Sequence, residues 1–285
     1  MIKIIKYFFE SLLIYLSFLL AKLIGLKISR LIFSYIFKKL GPIIRSNKII
    51  NKNLVKFSKN LSDLEKEKIA LSMWSNYGMT FIEYIFLYKF KNENSHINIK
   101  GEKILSEISQ NNKPVIFVSG HFANFELMSM EIVKKKISLA TIYRPLNNFF
   151  LNPFMEYLRK KYVCKNQLKK GHGGVKDSIN YINRNHSIAM MIDQRVSEGE
   201  KINFFKEEAL TTTLPAQLAI KYNLDIVPIF IERNDNNFFK MEVYEPIKTS
   251  EFNSKFELSI KLNKILEGMI KKNPNQWIWT HNRWK

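Results

Sequence analysis

Four short, almost wholly apolar runs constrain this chain more than any other feature. They read VIFVS at 115–119, LATIY at 139–143, IAMMID at 188–193 and IVPIFIE at 226–232. Helical patterns separate them, at about 124–135, 153–162, from the Gly-rich turn KGHGGVKD to about 183, and at 215–222. Strands apolar on both sides and spaced by helices belong to a sheet covered on both faces. The expected class is α/β, with a mixed, mostly parallel sheet flanked by helices. The stretch 238–244 is expected as an antiparallel strand and 257–271 as a closing helix. In such sheets ligands and chemistry gather just past the carboxyl ends of the strands, so the residues ending each run are the candidates for function.

The chain opens MIKIIKYFFESLLIYLSFLLAKLIGL. Residues 7–26 approach the length that crosses a hydrocarbon core at about 1.5 Å per residue. Glu10 and Lys22 interrupt them near the ends, where side chains can snorkel. Lys3 and Lys6 would suit the basic start of a signal peptide, but no A-x-A cleavage pattern follows. A retained N-terminal membrane-anchoring helix is therefore expected. In KISRLIFSYIFKKLGPII, Lys27, Arg30, Ser34 and Lys38 form one polar stripe at helical spacing, with Ile28, Leu31, Ile32, Tyr35 and Ile36 opposite. A basic amphipathic helix beside an apolar one predicts contact with a membrane surface. The expected organisation is an anchor and amphipathic helix over 1–45 and a second domain over 46–285.

Charge adds a partner class. Lys and Arg number 45 against 25 acids, a net +20. Twelve Lys/Arg against Glu10 alone place +11 of it in the first 60 residues. Such an excess favours anionic partners, and its position beside an apolar segment favours membrane lipids over nucleic acid. With the positive charge following the apolar stretch, the remainder is expected on the cytoplasmic side. Cys164 stands alone, which excludes an internal disulfide.

Candidate chemistry starts at VIFVSGHFANFE. His121 follows the first apolar run and Glu126 lies five positions on, so the two can meet if His121 sits in the loop and Glu126 in the first helical turn. A histidine base oriented by a carboxylate can take a hydroxyl proton. The spacing alone is weak, since His172 and Asp177 repeat it in a Gly-rich turn. The second run ends in YRPLNN, presenting Arg144, and Arg159 follows one helix later. Guanidinium groups near a base suit an anionic substrate or transition state. The third run ends at Asp193 and Gln194. Serine-hydrolase, Walker and dinucleotide-loop patterns are missing, and the histidines lack metal-ligand spacing. No metal and no cofactor are expected.

Taken together, these stretches resemble a known family. SGHFANFE is similar to the GH-x-x-N-W-E box of the lipid A late acyltransferases, the lauroyl and myristoyl transferases within the wider lysophospholipid acyltransferase superfamily. YRPLNN resembles their Y-R-P box, MMIDQR their P-D-Q-D box, NFFKEEALTTT their F-F-G...T segment, and NPNQWIWTHNRWK their P-E-Q-Y-L-W-x-H-R-R tail. The resemblance runs in order along nearly the whole chain. It implies a bacterial inner-membrane enzyme that moves a fatty acyl group from acyl carrier protein to a hydroxyl of a lipid A precursor. It implies His121 as general base with Glu126 as partner, and Arg144, Arg159 and Asp193 as substrate-binding or catalytic groups. The expected partners are acyl carrier protein, an anionic glycolipid acceptor and membrane lipids, with the acyl thioester as donor. The chain departs from the pattern at Ala123 (usually Gly), Phe125 (usually Trp), Arg195 (usually Asp) and Lys206 (usually Gly).

Other readings are a lysophospholipid or aminolipid acceptor for the same chemistry, a basic nucleic-acid-binding protein, and an inactive membrane scaffold. A salt-sensitive shift of bulk DNA would mark the second of these, and an active-site knockout without lipid phenotype the third.

Overall fold

Parallel strands need helical crossovers, and the chain supplies one after almost every strand. The structure is a computed structural model describing residues 2–44 and 47–285. Its strands are β1 (Ile97–Lys100), β2 (Ile116–Ser119), β3 (Leu139–Tyr143), β4 (Asn166–Lys169), β5 (Ser187–Met191), β6 (Glu200–Phe204), β7 (Glu207–Thr211), β8 (Ile226–Arg233) and β9 (Phe239–Val243). Its helices are α1 (Ile2–Ile44), α2 (Asn47–Phe57), α3 (Asp63–Glu83), α4 (Leu87–Asn92), α5 (Glu102–Asn111), α6 (Glu126–Lys134), α7 (Asn152–Leu158), α8 (His172–Asn183), α9 (Leu214–Tyr222) and α10 (Lys255–Lys272). Seven strands form one sheet in the order β1-β9-β8-β2-β5-β3-β4, and β6 and β7 form a separate hairpin.

The expected mixed, mostly parallel α/β class is the one found: only β8–β9 pairs antiparallel within the large sheet. Central β2 is buried along its whole length, as its apolar run requires. The strands that the sequence pattern does not announce are β1, β4 and the β6–β7 hairpin. β1 and β4 lie at the sheet edges, and β4 buries only Leu168 fully, so no apolar run marks it. α3 opens with the Ser62–Glu65 capping box, each side chain bonding the other residue's backbone N–H.

The N-terminal helix is bent. Gly25 adopts φ +81°, in the left-handed region, and divides α1 into arms over 2–24 and 26–44. Phe18 and Phe33, 15 residues apart, would be about 22 Å apart on a straight helix. Both instead stack on Phe81 of α3, with ring centroids at 5.3 and 5.9 Å. Ser29 Oγ donates across the bend to the carbonyl of Ala21 at 3.2 Å. The apolar stretch expected over 7–26 thus ends at the bend. α1 is the one helix among the described residues long and apolar enough to cross a membrane.

The basic stripe expected to face solvent or lipid headgroups is corrected at two positions. Arg30 turns inward and donates through Nε to Glu83 Oε1 at 2.6 Å, and Ser34 Oγ meets Ser75 Oγ at 2.7 Å. The residues opposite, among them Leu31 and Tyr35, are left exposed. The cause is Glu83, a carboxylate with no solvent contact at the end of α3. It also receives both terminal nitrogens of Arg233, at the end of β8, and Asn124 Nδ2 at 2.8 Å. Burial pushes the carboxyl up, but Arg233 and Arg30 outweigh it and keep Glu83 ionised. Removing one member of such a buried cluster strands the others. Glu83→Ala is expected to cost about 3–5 kcal/mol, read as a drop in thermal midpoint of the detergent-solubilised chain.

Candidate active site

Strand register brings the first two candidates together. β2 and β5 are parallel neighbours, with Ser119 opposite Met191. Two residues further on, each chain leaves the sheet at His121 and Asp193. Asp193 is 1% exposed and makes three hydrogen bonds. Oδ1 meets His121 Nδ1 at 2.8 Å, while Oδ2 accepts the His121 backbone N–H and Trp277 Nε1, both at 2.8 Å. Burial alone would raise the Asp193 carboxyl; the adjacent His121 ring and these bonds outweigh it and hold it down at about 2. An ionised carboxylate only accepts, so Nδ1 of His121 carries the proton and Nε2 is left as the basic nitrogen. The Phe125 ring packs edge-on against the imidazole, with centroids 4.7 Å apart.

Glu126 opens α6, as the sequence reading placed it, but its carboxylate is held elsewhere. Oε1 accepts Tyr84 Oη at 2.5 Å and Arg159 Nε at 2.7 Å, and Arg159 Nη2 donates to Tyr84 Oη at 2.8 Å. The expected His121–Glu126 contact is therefore replaced, among the described residues, by a His121–Asp193 pair and a Glu126–Arg159–Tyr84 cluster. The fixed residue is Arg159. It begins a π-helical turn over 159–163 that continues α7, and its guanidinium lies on the rings of Tyr84 and Tyr143. Burial pushes the Tyr84 hydroxyl up, so it stays protonated and donates. Arg159 Nη1 is buried and has no hydrogen-bond partner among the described residues.

Between them, the loop 120–125 is pinned from several sides. Thr80 Oγ1 donates to the Ala123 carbonyl at 2.9 Å, the Ala123 N–H reaches the Gln276 carbonyl at 3.2 Å, and Asn124 is bonded to Glu83. Ala123 has φ +42°. Two departures from the resembled family thus acquire a physical reading. Ala123 and Lys206 stand where the resembled motifs usually have glycine, and both have positive φ. Lys206, at φ +65°, follows Phe205, at φ +53°, in the two-residue turn joining β6 to β7, a geometry that demands left-handed residues.

Arg144 and Lys170 complete the sheet edge. β3 pairs with β4, Tyr143 opposite Lys169, and the Lys170 N–H bonds the Tyr143 carbonyl at 2.8 Å. Arg144 and Lys170 are thus adjacent, one residue past the ends of these strands. In sheet order the edge reads His121, Asp193, Arg144, Lys170. Neither cationic side chain makes a hydrogen bond or ion pair among the described residues, and burial and then Arg144 lower Lys170 below the usual lysine value.

The carboxyl-terminal tail closes the site. Trp277 bonds Asp193, and His281 Nε2 accepts the Arg195 backbone N–H at 2.9 Å. Burial lowers His281 to about 4 from its ordinary 6.5. Sequence reasoning gave these tail residues no role; the density of tryptophan in QWIWTHNRW is the signal that a buried segment was present. His172, the competing histidine, has a 95% exposed side chain. Cys164 is buried, its thiol raised to about 11 chiefly by that burial, so it is not a nucleophile near neutral pH. Among the described residues no group of three His, Cys, Asp or Glu could hold a metal ion. A cleft of about 420 Å³ beside Pro42, Asn51 and Trp74 is lined by none of these site residues.

Two outcomes are expected. Ala123→Gly and Lys206→Gly each relieve left-handed strain and should raise stability by roughly 0.5–1 kcal/mol, seen as a higher thermal midpoint. For His281 the unfolded chain takes up the proton first, so its contribution is complete above 6.5 and is lost as pH falls toward about 4. The thermal midpoint of the protein should decline across that window, and less so in His281→Gln.

Compared with known proteins, the chain matches the family described as bacterial lipid A biosynthesis acyltransferase over residues 1–285. It is 20% identical over 248 residues to the lipid A biosynthesis lauroyltransferase of Escherichia coli (strain K12), spanning 85% of this chain and 79% of that protein. It is 23% identical over 184 residues to lipid A biosynthesis acyltransferase 2 of Shigella flexneri, spanning 63% and 58%. Among solved structures, the 1-acyl-sn-glycerophosphate acyltransferase PlsC from Thermotoga maritima aligns at 14% identity and a TM-score of 0.42, covering 89% of this chain and 100% of that one.

Proposed function

Because the chain belongs to the bacterial lipid A biosynthesis acyltransferase family, we propose that it transfers a fatty acyl group from an acyl carrier protein thioester to a hydroxyl of a lipid A precursor, with His121 as general base. The observation that carries the mechanism is the His121–Asp193 pair at the carboxyl edge of the sheet. Asp193 fixes the imidazole with its proton on Nδ1. Nε2 then takes the proton of the acceptor hydroxyl as the oxygen attacks the thioester carbonyl. The tetrahedral oxyanion collapses, the carbon–sulfur bond breaks, and the imidazolium returns its proton to the departing thiolate. Asp193 stabilises the imidazolium throughout.

Glu126 acts in this scheme as a positioning residue. It holds Arg159, whose Nη1 is the buried donor left for a substrate oxygen, and a donor aimed at a developing oxyanion lowers the barrier. Arg144, with Lys170 beside it, offers charge to an anionic group of the acceptor or donor. The net +20 charge supports attraction of both acidic acyl carrier protein and an anionic glycolipid. Inner-membrane location with the site facing the cytoplasm follows from the same reading, since the donor is a soluble cytoplasmic protein.

The test is an in vitro transfer assay with acyl carrier protein thioesters of several chain lengths and a tetra-acylated lipid A precursor, read by mass spectrometry. His121→Ala is expected to lower turnover by about 10²–10⁴, and Asp193→Asn by a similar factor through loss of the correct tautomer. Glu126→Gln should lower activity less than either. Transfer to a lysophospholipid or aminolipid but not to this acceptor would keep the mechanism and overturn the substrate. Full activity of His121→Ala would overturn the mechanism.

A further inference from the structure

We propose that the loop over residues 146–151 is a second membrane-contact element, seated with the first arm of α1 in the interfacial zone of an anionic bilayer. It lies just past Arg144, and its tip exposes Phe149 at 52% and Phe150 at 36%. Adjacent exposed phenylalanines are costly in water and mark a surface that is covered in use. The loop is not loose. Asn148 Oδ1 accepts the N–H groups of Phe150 and Leu151 at 3.1 and 3.3 Å, which sets the turn and points the tip outward.

What covers it is indicated by what it is fastened to. Asn148 Nδ2 donates to the Tyr7 carbonyl and Tyr15 Oη to the Phe150 carbonyl, both at 2.8 Å. Tyr7 packs on Phe149 and Phe8 on Phe150, with ring centroids at 6.0 and 5.7 Å. The loop therefore continues the face of an arm whose outward residues are apolar; Phe9, Leu13 and Leu20 are each more than half exposed. Cations flank the patch: Lys3 Nζ lies over the ring of Tyr7, 5.5 Å from its centroid, and Lys6 follows on the same arm, 3.8 Å from Glu10, the one acid in the first 60 residues. An apolar centre rimmed by lysines fits lipid headgroups and acyl chains rather than an acidic protein. A fixed second contact also sets the orientation of the domain, bringing Arg144 to headgroup level, where a glycolipid presents its polar part.

The experiment uses the full chain with Cys164→Ser, so that single cysteines can carry a nitroxide. Labels go at position 149, at position 13 on α1, and at position 256, where Phe256 is 46% exposed on α10. The protein is reconstituted in vesicles of phosphatidylethanolamine and phosphatidylglycerol, and each label's accessibility to oxygen and to a water-soluble nickel complex is measured. Positions 149 and 13 should both favour oxygen over nickel, with at least a severalfold higher ratio than position 256. A ratio at 149 equal to that at 256 would overturn the proposal. Protection of 149 from both reagents would overturn it too, because that marks a protein contact. Phe149→Trp in the native-cysteine chain gives a second reading, with fluorescence quenched by brominated lipid if the loop inserts and unquenched if it does not. Neither reading depends on acyl transfer, so the outcome is separate from the enzymatic assay.

Discussion

A fully buried carboxylate organises this molecule. Glu83 has no solvent contact, and its hydrogen bonds tie down three different segments: Arg30 from the second arm of α1, Arg233 from the end of β8, and Asn124 from the loop that carries His121. An ionised group in such a setting is tolerated only while its partners are in place. The N-terminal helix, the sheet and the loop over 120–125 are therefore linked through one residue. The inward turn of Arg30 follows from this, and so does the exposed apolar surface on the far side of that arm.

The second organising constraint is strand register. Because β2 and β5 run parallel with Ser119 opposite Met191, His121 and Asp193 leave the sheet side by side, and Trp277 from the tail completes the carboxylate's hydrogen bonds. Glu126, five residues from His121 in sequence, instead meets Arg159 and Tyr84. The two acids thus stand in distinct settings. One is ionised against an imidazole; the other is shared between a guanidinium and a phenol that keeps its proton. In the proposed mechanism this separates orientation of the base from placement of the substrate.

Much of this was legible in the residues. The apolar runs announce β2, β3, β5 and β8, and the polar residues that end β2, β3 and β5 lie along one edge of the sheet. The pairing was not legible, since sequence spacing reports neighbours along the chain and register reports neighbours across the sheet. His121 and Glu126 looked linked because they are close in sequence, whereas 72 residues separate His121 from Asp193. β4 escaped notice because an edge strand reading NQLK needs no apolar run, and β6, reading EKINF, because a two-stranded hairpin buries only alternate residues. Helical periodicity gives the faces of α1 but not the buried Glu83 that draws Arg30 of its polar stripe inward. The glycine positions filled by Ala123 and Lys206 became interpretable only with their backbone angles.

The central claim is that Asp193, not Glu126, holds the imidazole of His121. Nitrogen-15 NMR of histidine-labelled protein in detergent micelles tests it directly, with the His121 signals assigned by comparison with His121→Gln. The account predicts a proton on Nδ1 held in a hydrogen bond to the Asp193 carboxylate, a pattern kept in Glu126→Gln and lost in Asp193→Asn. Loss in Glu126→Gln with retention in Asp193→Asn would contradict it.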